Sequence, residues 1–224
     1  MASLGTGPAD SAGQPPPVVE ADLAALVERL RDLAGDRPRT MLGLAGAPGS
    51  GKSTIAEALA AALADLGAVV VPFDGFHLAN STLAARGKLH RKGALDTFDT
   101  AGYAALLKRL RDLGPTVYAP SYQRSFEEAI AGSITVEPAS RLIITEGNYL
   151  LVDHPDMREA QNVLTQVWYI DLDDQTRLGR LVGRHVTHGK TADDARDWAL
   201  GTDEVNAELV ASSRDAADLC VRLK

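Results

Sequence analysis

Residues 46–53 read Gly-Ala-Pro-Gly-Ser-Gly-Lys-Ser, the spacing G-x-x-x-x-G-K-[ST], and they join two segments of different character. Before them runs Met41-Leu42-Gly43-Leu44-Ala45, an apolar stretch that reads as a buried strand; after them the chain from Lys52 to near Gly67 reads as a long helix. A strand passed to a helix through such a loop restricts the chain to an α/β fold, with the helix packed back beside its own strand. The same arrangement has a chemical meaning. Gly46, Gly49 and Gly51 free the backbone to turn successive amides inward, and Ala47, Pro48 and Ser50 complete the loop. The helix dipole points its positive end at the same place. There a polyphosphate such as that of ATP would lie, with Lys52 reaching its β- and γ-phosphates, the Ser53 hydroxyl on Mg²⁺, and Thr54 following in the first turn.

The rest of the chain alternates in the manner of a parallel sheet covered on both faces. Leu23, Leu26, Val27, Leu30 and Leu33 recur at helical spacing within 18–33, and Gly35 and Pro38 stop that helix. Ala68-Val69-Val70-Val71 reads as a strand, and 74–100 as a polar, mixed segment of weak periodicity. A helix is expected over 101–113, extended chain over 116–120 and a short strand over 133–136. Residues 141–145 and 167–170 are apolar and β-branched, as interior parallel strands are. Two helical stretches, about 174–187 and 192–213, precede a last apolar run at 219–223. The resulting expectation is a three-layer α/β domain over 18–224, a central parallel sheet flanked by helices, with a helical lid at about 174–190 and a mobile segment over 1–17.

Ligands of such sheets bind beyond the carboxyl ends of the strands. Asp74 follows one strand and Glu146 another, so both should face the phosphate loop. Asp74 is read as the base that takes a proton from an attacking hydroxyl, and Glu146 as a group near Mg²⁺; spacing alone leaves these two roles exchangeable. Arg177, Arg180 and Arg184 share a helical face, where guanidinium groups can stabilise a phosphate in transfer, Arg180 and Arg184 being the stronger candidates. The plain reading of that face is a solvated one, with Asp173 and Asp174 as partners. His77, three residues after Asp74, is placed near a substrate, whereas His90, His154, His185 and His188 show no metal-ligand spacing. Cys220, Trp168 and Trp198 read as core.

A net charge of −7, from 23 basic and 30 acidic side chains, argues against a general nucleic-acid binder. No apolar stretch approaches the ~18 residues of a membrane span, and residues 1–17 lack the form of a secretory signal. With one cysteine, these features point to the cytoplasm. Neither the guanine-reading Asn-Lys-x-Asp string nor a Leu-Ser-Gly-Gly-Gln signature occurs, which counts against a GTPase switch and a transporter ATPase. A nucleotide-binding module without an acceptor is the competing reading.

Several further strings occur in a definite order: Asp74-Gly75-Phe76-His77, Arg91-Lys92-Gly93, Thr97-Phe98-Asp99, Pro120-Ser121-Tyr122 and Glu146-Gly147-Asn148-Tyr149. Together with the phosphate loop they resemble the P-loop kinases that group uridine kinase, phosphoribulokinase and type I pantothenate kinase, in particular the compact bacterial nucleoside/fructose-type relatives. The resemblance runs from about Met41 to the end of the chain. It implies ATP-dependent phosphorylation of a hydroxyl on a small metabolite (a nucleoside, a sugar or a pantothenate-like acceptor), with a homodimer left open. It also implies Asp74 as base, Glu146 near the metal, and Arg91, Asp99, Tyr122 and Arg124 on the acceptor side. The late Asp203-Glu204-Val205-Asn206 string resembles a place where such kinases approach nucleotide or acceptor. The chain departs from its relatives at Gln123-Arg124, after the Pro-x-Tyr segment, so the resemblance carries the reaction type and leaves the acceptor open: a carboxylate, a phosphate or a sugar engaged by several hydroxyls would each suit Arg124.

Overall fold

The computed structural model describes residues 15–187, 189 and 191–224, the Thr202 side chain excepted. Of the segment expected to be mobile, 1–17, all but Pro15 to Pro17 lies outside the described residues, as does His188. In chain order the elements are β1 (Val18–Ala21), α1 (Leu23–Ala34), β2 (Thr40–Ala45), α2 (Lys52–Ala62), β3 (Val69–Pro72), α3 (Asn80–Ala85), α4 (Thr100–Arg111), β4 (Val117–Gln123), β5 (Glu128–Val136), β6 (Leu142–Glu146), α5 (Pro155–Gln161), β7 (Gln166–Asp171), α6 (Asp174–Thr187), α7 (Ala192–Leu200), α8 (Thr202–Ser212) and β8 (Leu219–Leu223).

Six of the strands form one parallel sheet in the order β1-β8-β7-β2-β6-β3. The two-residue period of β2 divides the core. Leu42 and Leu44 face α1 and α2, against Leu26, Leu30, Ile55 and Leu59; Met41 and Ala45 face the opposite layer of α4 and α5, with Leu107, Leu110 and Met157. Both layers are dry, which accounts for the uninterrupted apolar character of the interior strands. The registers Leu44↔Glu146 and Pro72↔Glu146 bring the carboxyl ends of β2, β6 and β3 level, so the loops after them leave from a single rim.

Four expectations change. Residues 18–21 are an edge strand on β8 rather than the start of a helix: β-branched Val18 and Val19 pair with Cys220 and Val221, and Asp22 caps α1 by accepting from the Ala25 amide at 2.9 Å. The helix from Lys52 stops at Ala62 and yields to a 3₁₀ turn, Ala64–Leu66, before Gly67. The helical stretch 192–213 is two helices, α7 and α8, interrupted at Gly201. Finally, the extended pieces at 116–120 and 133–136 are the arms of a longer antiparallel hairpin, β4–β5, standing apart from the main sheet. Trp168 and Cys220 are fully buried, as expected of core residues. Among the described residues no helix is long and apolar enough to cross a membrane.

Candidate active site

The phosphate loop leaves β2 at the rim and enters α2 with Gly51 as its cap and no side-chain cap, so the first-turn amides of α2 keep their donors for an outside anion. Gly46, Gly49 and Gly51 all have positive φ. Gly49 is also crowded: a Cβ there would lie 2.8 Å from both the Arg177 carbonyl oxygen and Leu181 Cγ on α6. Lys52 folds back over the loop, its Nζ donating to the carbonyls of Gly46 at 2.9 Å and Ala47 at 3.0 Å. Burial pushes this ammonium down to about 8, with Glu146 and Asp74 opposing the shift.

Two carboxylates face the loop across the rim. Glu146, the last residue of β6, is 6% exposed and accepts a hydrogen bond from Ser53 Oγ at 3.0 Å. Burial, reinforced by the negative charge of Asp74, pushes its carboxyl up to about 7. Asp74 lies in the 3₁₀ turn Phe73–Phe76 that directly follows β3. Its Oδ2 accepts from an Nη of Arg124 at 3.2 Å, and its backbone carbonyl lies 2.8 Å from Nδ1 of His77. The His77 ring is held between Phe98 and Tyr122, at centroid distances of 4.0 and 4.5 Å, and burial pushes its basicity down.

The hairpin brings Tyr122 and Arg124 to this place. It packs backbone to backbone on the turn of Asp74, since a Cβ on Gly75 would collide with the Pro120 carbonyl. Gly75→Ala is therefore expected to destabilise the fold by about 1–3 kcal/mol, the usual cost of overpacking, and to push the hairpin away from Asp74. Thermal melting checks the first effect; an unchanged melting temperature would mean the contact is loose.

These groups open on a cavity of about 850 Å³. From the loop it is lined by Pro48, Gly49, Gly51, Lys52, Ser53 and Thr54, whereas Gly46, Ala47 and Ser50 lie behind the lining. Asp74, His77, Tyr122, Arg124 and Glu146 line it too. Of the arginines on α6, Arg180 and Arg184 face it, and Arg180 Nη1 stands 3.3 Å from where a Cβ on Gly51 would be. Arg177 does not. It is 1% exposed, paired with Asp174 at 3.0 Å and with Glu204 of α8 at 2.7 Å, and so acts as a strut between helices.

Two residues that the resemblance placed on the acceptor side lie elsewhere. Arg91 turns to an ion pair with Asp96 at 3.0 Å, and its neighbour Lys92 lines the cavity instead. Asp99 caps α4, accepting from the Gly102 amide at 2.9 Å, and is not part of the lining. Trp198, expected in the core, is half-buried on the cavity wall near Asp203 and Asn206. His185 of α6 meets Asp203 of α8 at 2.7 Å on the same wall. Asn80 and Asn148 also line the cavity. Sequence reasoning missed them as site residues, although Lys92 and Asn148 lay inside strings it had singled out.

A phosphate loop between β2 and α2, facing paired carboxylates across the carboxyl rim of a parallel sheet, defines a P-loop kinase fold. The chain belongs to the phosphoribulokinase / uridine kinase family, whose family model matches residues 41–222. Among solved structures it is similar to a "putative fructose transport system kinase" from Silicibacter sp. TM1040, at 41% identity and a TM-score of 0.82, covering 89% of this chain and 98% of that one. Among curated proteins it is similar to the ATP-dependent kinase-like protein notR' of Aspergillus versicolor, 34% identical over 63% of this chain and 88% of the relative. It is also similar to the pantothenate kinase of Mycolicibacterium vanbaalenii, 31% identical over 84% of this chain and 68% of the relative. Family membership implies a kinase that binds a nucleotide and acts on a small molecule.

Proposed function

We propose that this chain transfers the γ-phosphate of ATP to a hydroxyl of a small metabolite, residues 18–224 working as one catalytic unit with a lid at about 174–190. The observation that carries this reading is the placement of Asp74 opposite the phosphate loop in a shared cavity, with Lys52 and Ser53 on one wall and Tyr122 and Arg124 on the other. The acceptor oxygen bonds to the γ-phosphorus as the bond to the β–γ bridging oxygen breaks; the hydroxyl proton passes to Asp74, and ADP leaves. Lys52 and Arg180 stand where they offset charge on the transferring group, and Arg184 faces it from further along α6. Closure of α6 over the loop would exclude water and limit idle hydrolysis.

The residues present suit Mg²⁺. Ser53 Oγ and the Glu146 carboxylate, 3.0 Å apart, are hard oxygen donors facing the phosphate loop and would hold the cation. No cluster of three or more acidic, histidine or cysteine groups able to hold a cation occurs among the described residues. When bound, the cation would offset negative charge on the donor's phosphates.

The test is ADP release from ATP with and without a panel of nucleosides, sugars, hydroxy acids and pantothenate. Acceptor-dependent release supports the kinase reading; release indifferent to every acceptor would favour a nucleotide-binding ATPase module.

Glu146 adds a pH signature. Its folded-state value, about 7 against an ordinary 4.5, means that the folded chain holds this proton more tightly than the unfolded chain. The stability it favours is therefore complete below about 4.5 and is lost as pH rises through about 7. Glu146→Gln should raise the melting temperature of the ligand-free chain at pH 8 and change it little at pH 4. The same variant should weaken Mg²⁺-dependent nucleotide binding. A melting difference that does not vary with pH would show that the carboxyl is not held protonated by its surroundings.

A further inference from the structure

Building on the kinase reading, we infer that Arg124 masks Asp74 until the acceptor draws it away, and that the acceptor is consequently a hydroxyl-bearing anion, a hydroxy acid or a sugar phosphate, rather than a neutral sugar or nucleoside. Arg124 reaches Asp74 Oδ2 through a single Nη at 3.2 Å, with the two side chains 43% and 28% exposed. A guanidinium there occupies one of the two carboxylate oxygens to which an acceptor hydroxyl could pass its proton. A neutral hydroxyl is a poor competitor for it, because hydrogen bonds between charged partners are roughly twice as strong as neutral ones. A carboxylate or phosphate on the acceptor can exchange one charged partner for another and leave Asp74 uncovered. The pair is open to solvent and held by one contact, so the exchange is easy.

The surrounding cations narrow the assignment to Arg124. Lys52 is engaged by the carbonyls of Gly46 and Ala47. Lys92, 5.4 Å over the Tyr122 ring, is engaged by Asn80 Oδ1 at 2.6 Å and by the Glu127 carbonyl. Arg180 stands against the phosphate loop. Arg184 faces the same cavity as Arg124, and after burial the charge of Arg124 is the largest influence pushing its basicity down. An anion entering this cavity would meet both guanidinium groups, with Asp203, Asp74 and Glu146 already offsetting part of the Arg184 charge. The move itself requires little. The hairpin is fixed near Pro120 by its contact with Gly75 and near its tip by Lys92 with Glu127 and by the Asn80 amide on Glu128 at 3.0 Å. Arg124, in the connection between β4 and β5, can leave Asp74 by rotating one side chain.

The test uses matched pairs of probes on the full chain loaded with Mg²⁺ and the non-hydrolysable donor AMPPNP, which fills the phosphate loop: D-glycerate against glycerol, and fructose 6-phosphate against fructose, by titration calorimetry. The charged member of at least one pair should bind tenfold or more tighter, and Arg124→Gln should abolish that preference. Preference within the glycerate pair alone identifies a hydroxy acid, and within the fructose pair alone a sugar phosphate. In turnover assays Arg124→Gln should raise kcat for the neutral members, since the base is uncovered, an increase that a purely structural role would not produce. Equal binding within both pairs, no binding of either charged probe at millimolar concentration, or a preference that survives Arg124→Gln would each overturn the inference. Failure of the kinase reading looks different: no Mg²⁺–AMPPNP binding, or no acceptor-dependent ADP release.

Discussion

Lys52→Ala is expected to lower acceptor-dependent ADP release by about 10²–10³-fold, the scale on which loss of one preorganised charge-stabilising donor is felt. Lys52 begins α2 and is nearly enclosed, with Nζ supported by two loop carbonyls on the wall of the cavity. Burial holds its pKa near 8, so the ammonium is poorly solvated and gains strongly from an arriving triphosphate. Alanine removes the cation from the γ-phosphate and leaves the carbonyls of Gly46 and Ala47 without their donor, which also loosens the loop. Steady-state ADP release and nucleotide titration separate the two effects. Turnover equal to that of the unaltered chain would remove the loop from the mechanism.

Asp74→Asn is expected to slow transfer by about 10²–10⁴-fold while nucleotide affinity stays within a few-fold, because the side chain would keep its shape and its acceptor for Arg124 but could no longer serve as the proposed base. The loss should fall on kcat rather than on KM for ATP. Asp74 follows the strand beside that of Glu146, and its charge adds to the cost of ionising Glu146. Their roles therefore separate by experiment: the Asp74 variant should keep its Mg²⁺ dependence, whereas the Glu146 variant should lose much of it. An Asp74→Asn protein with normal kcat and weakened ATP affinity would assign Asp74 to the donor side instead.

What could be read in advance was what depends on neighbours in sequence. The strand, loop and helix around Gly46–Ser53 are consecutive, and the rule of strand ends was enough to bring Asp74 and Glu146 to the same rim. What escaped depends on distant partners. The helical spacing of Leu23, Leu26 and Leu30 extended backward over Val18 and Val19, whose partners lie at 220 and 221. Arg91 and Lys92 are adjacent and chemically alike, and only the position of Asp96 decides which of them turns outward. Asp99 caps α4 through one hydrogen bond to a local amide, a role that its place in the Thr97-Phe98-Asp99 string does not announce. Trp198 carries no local sign that α7 would present it to a cavity instead of the core.

The pairing of β1 with β8 also bears on how the molecule is made. A ribosome delivers Val18–Ala21 long before its partner Leu219–Leu223, and β2 likewise waits for β6 and β7. Nascent chain carrying the phosphate loop thus emerges well before the sheet that gives it shape, so native assembly waits for the later strands.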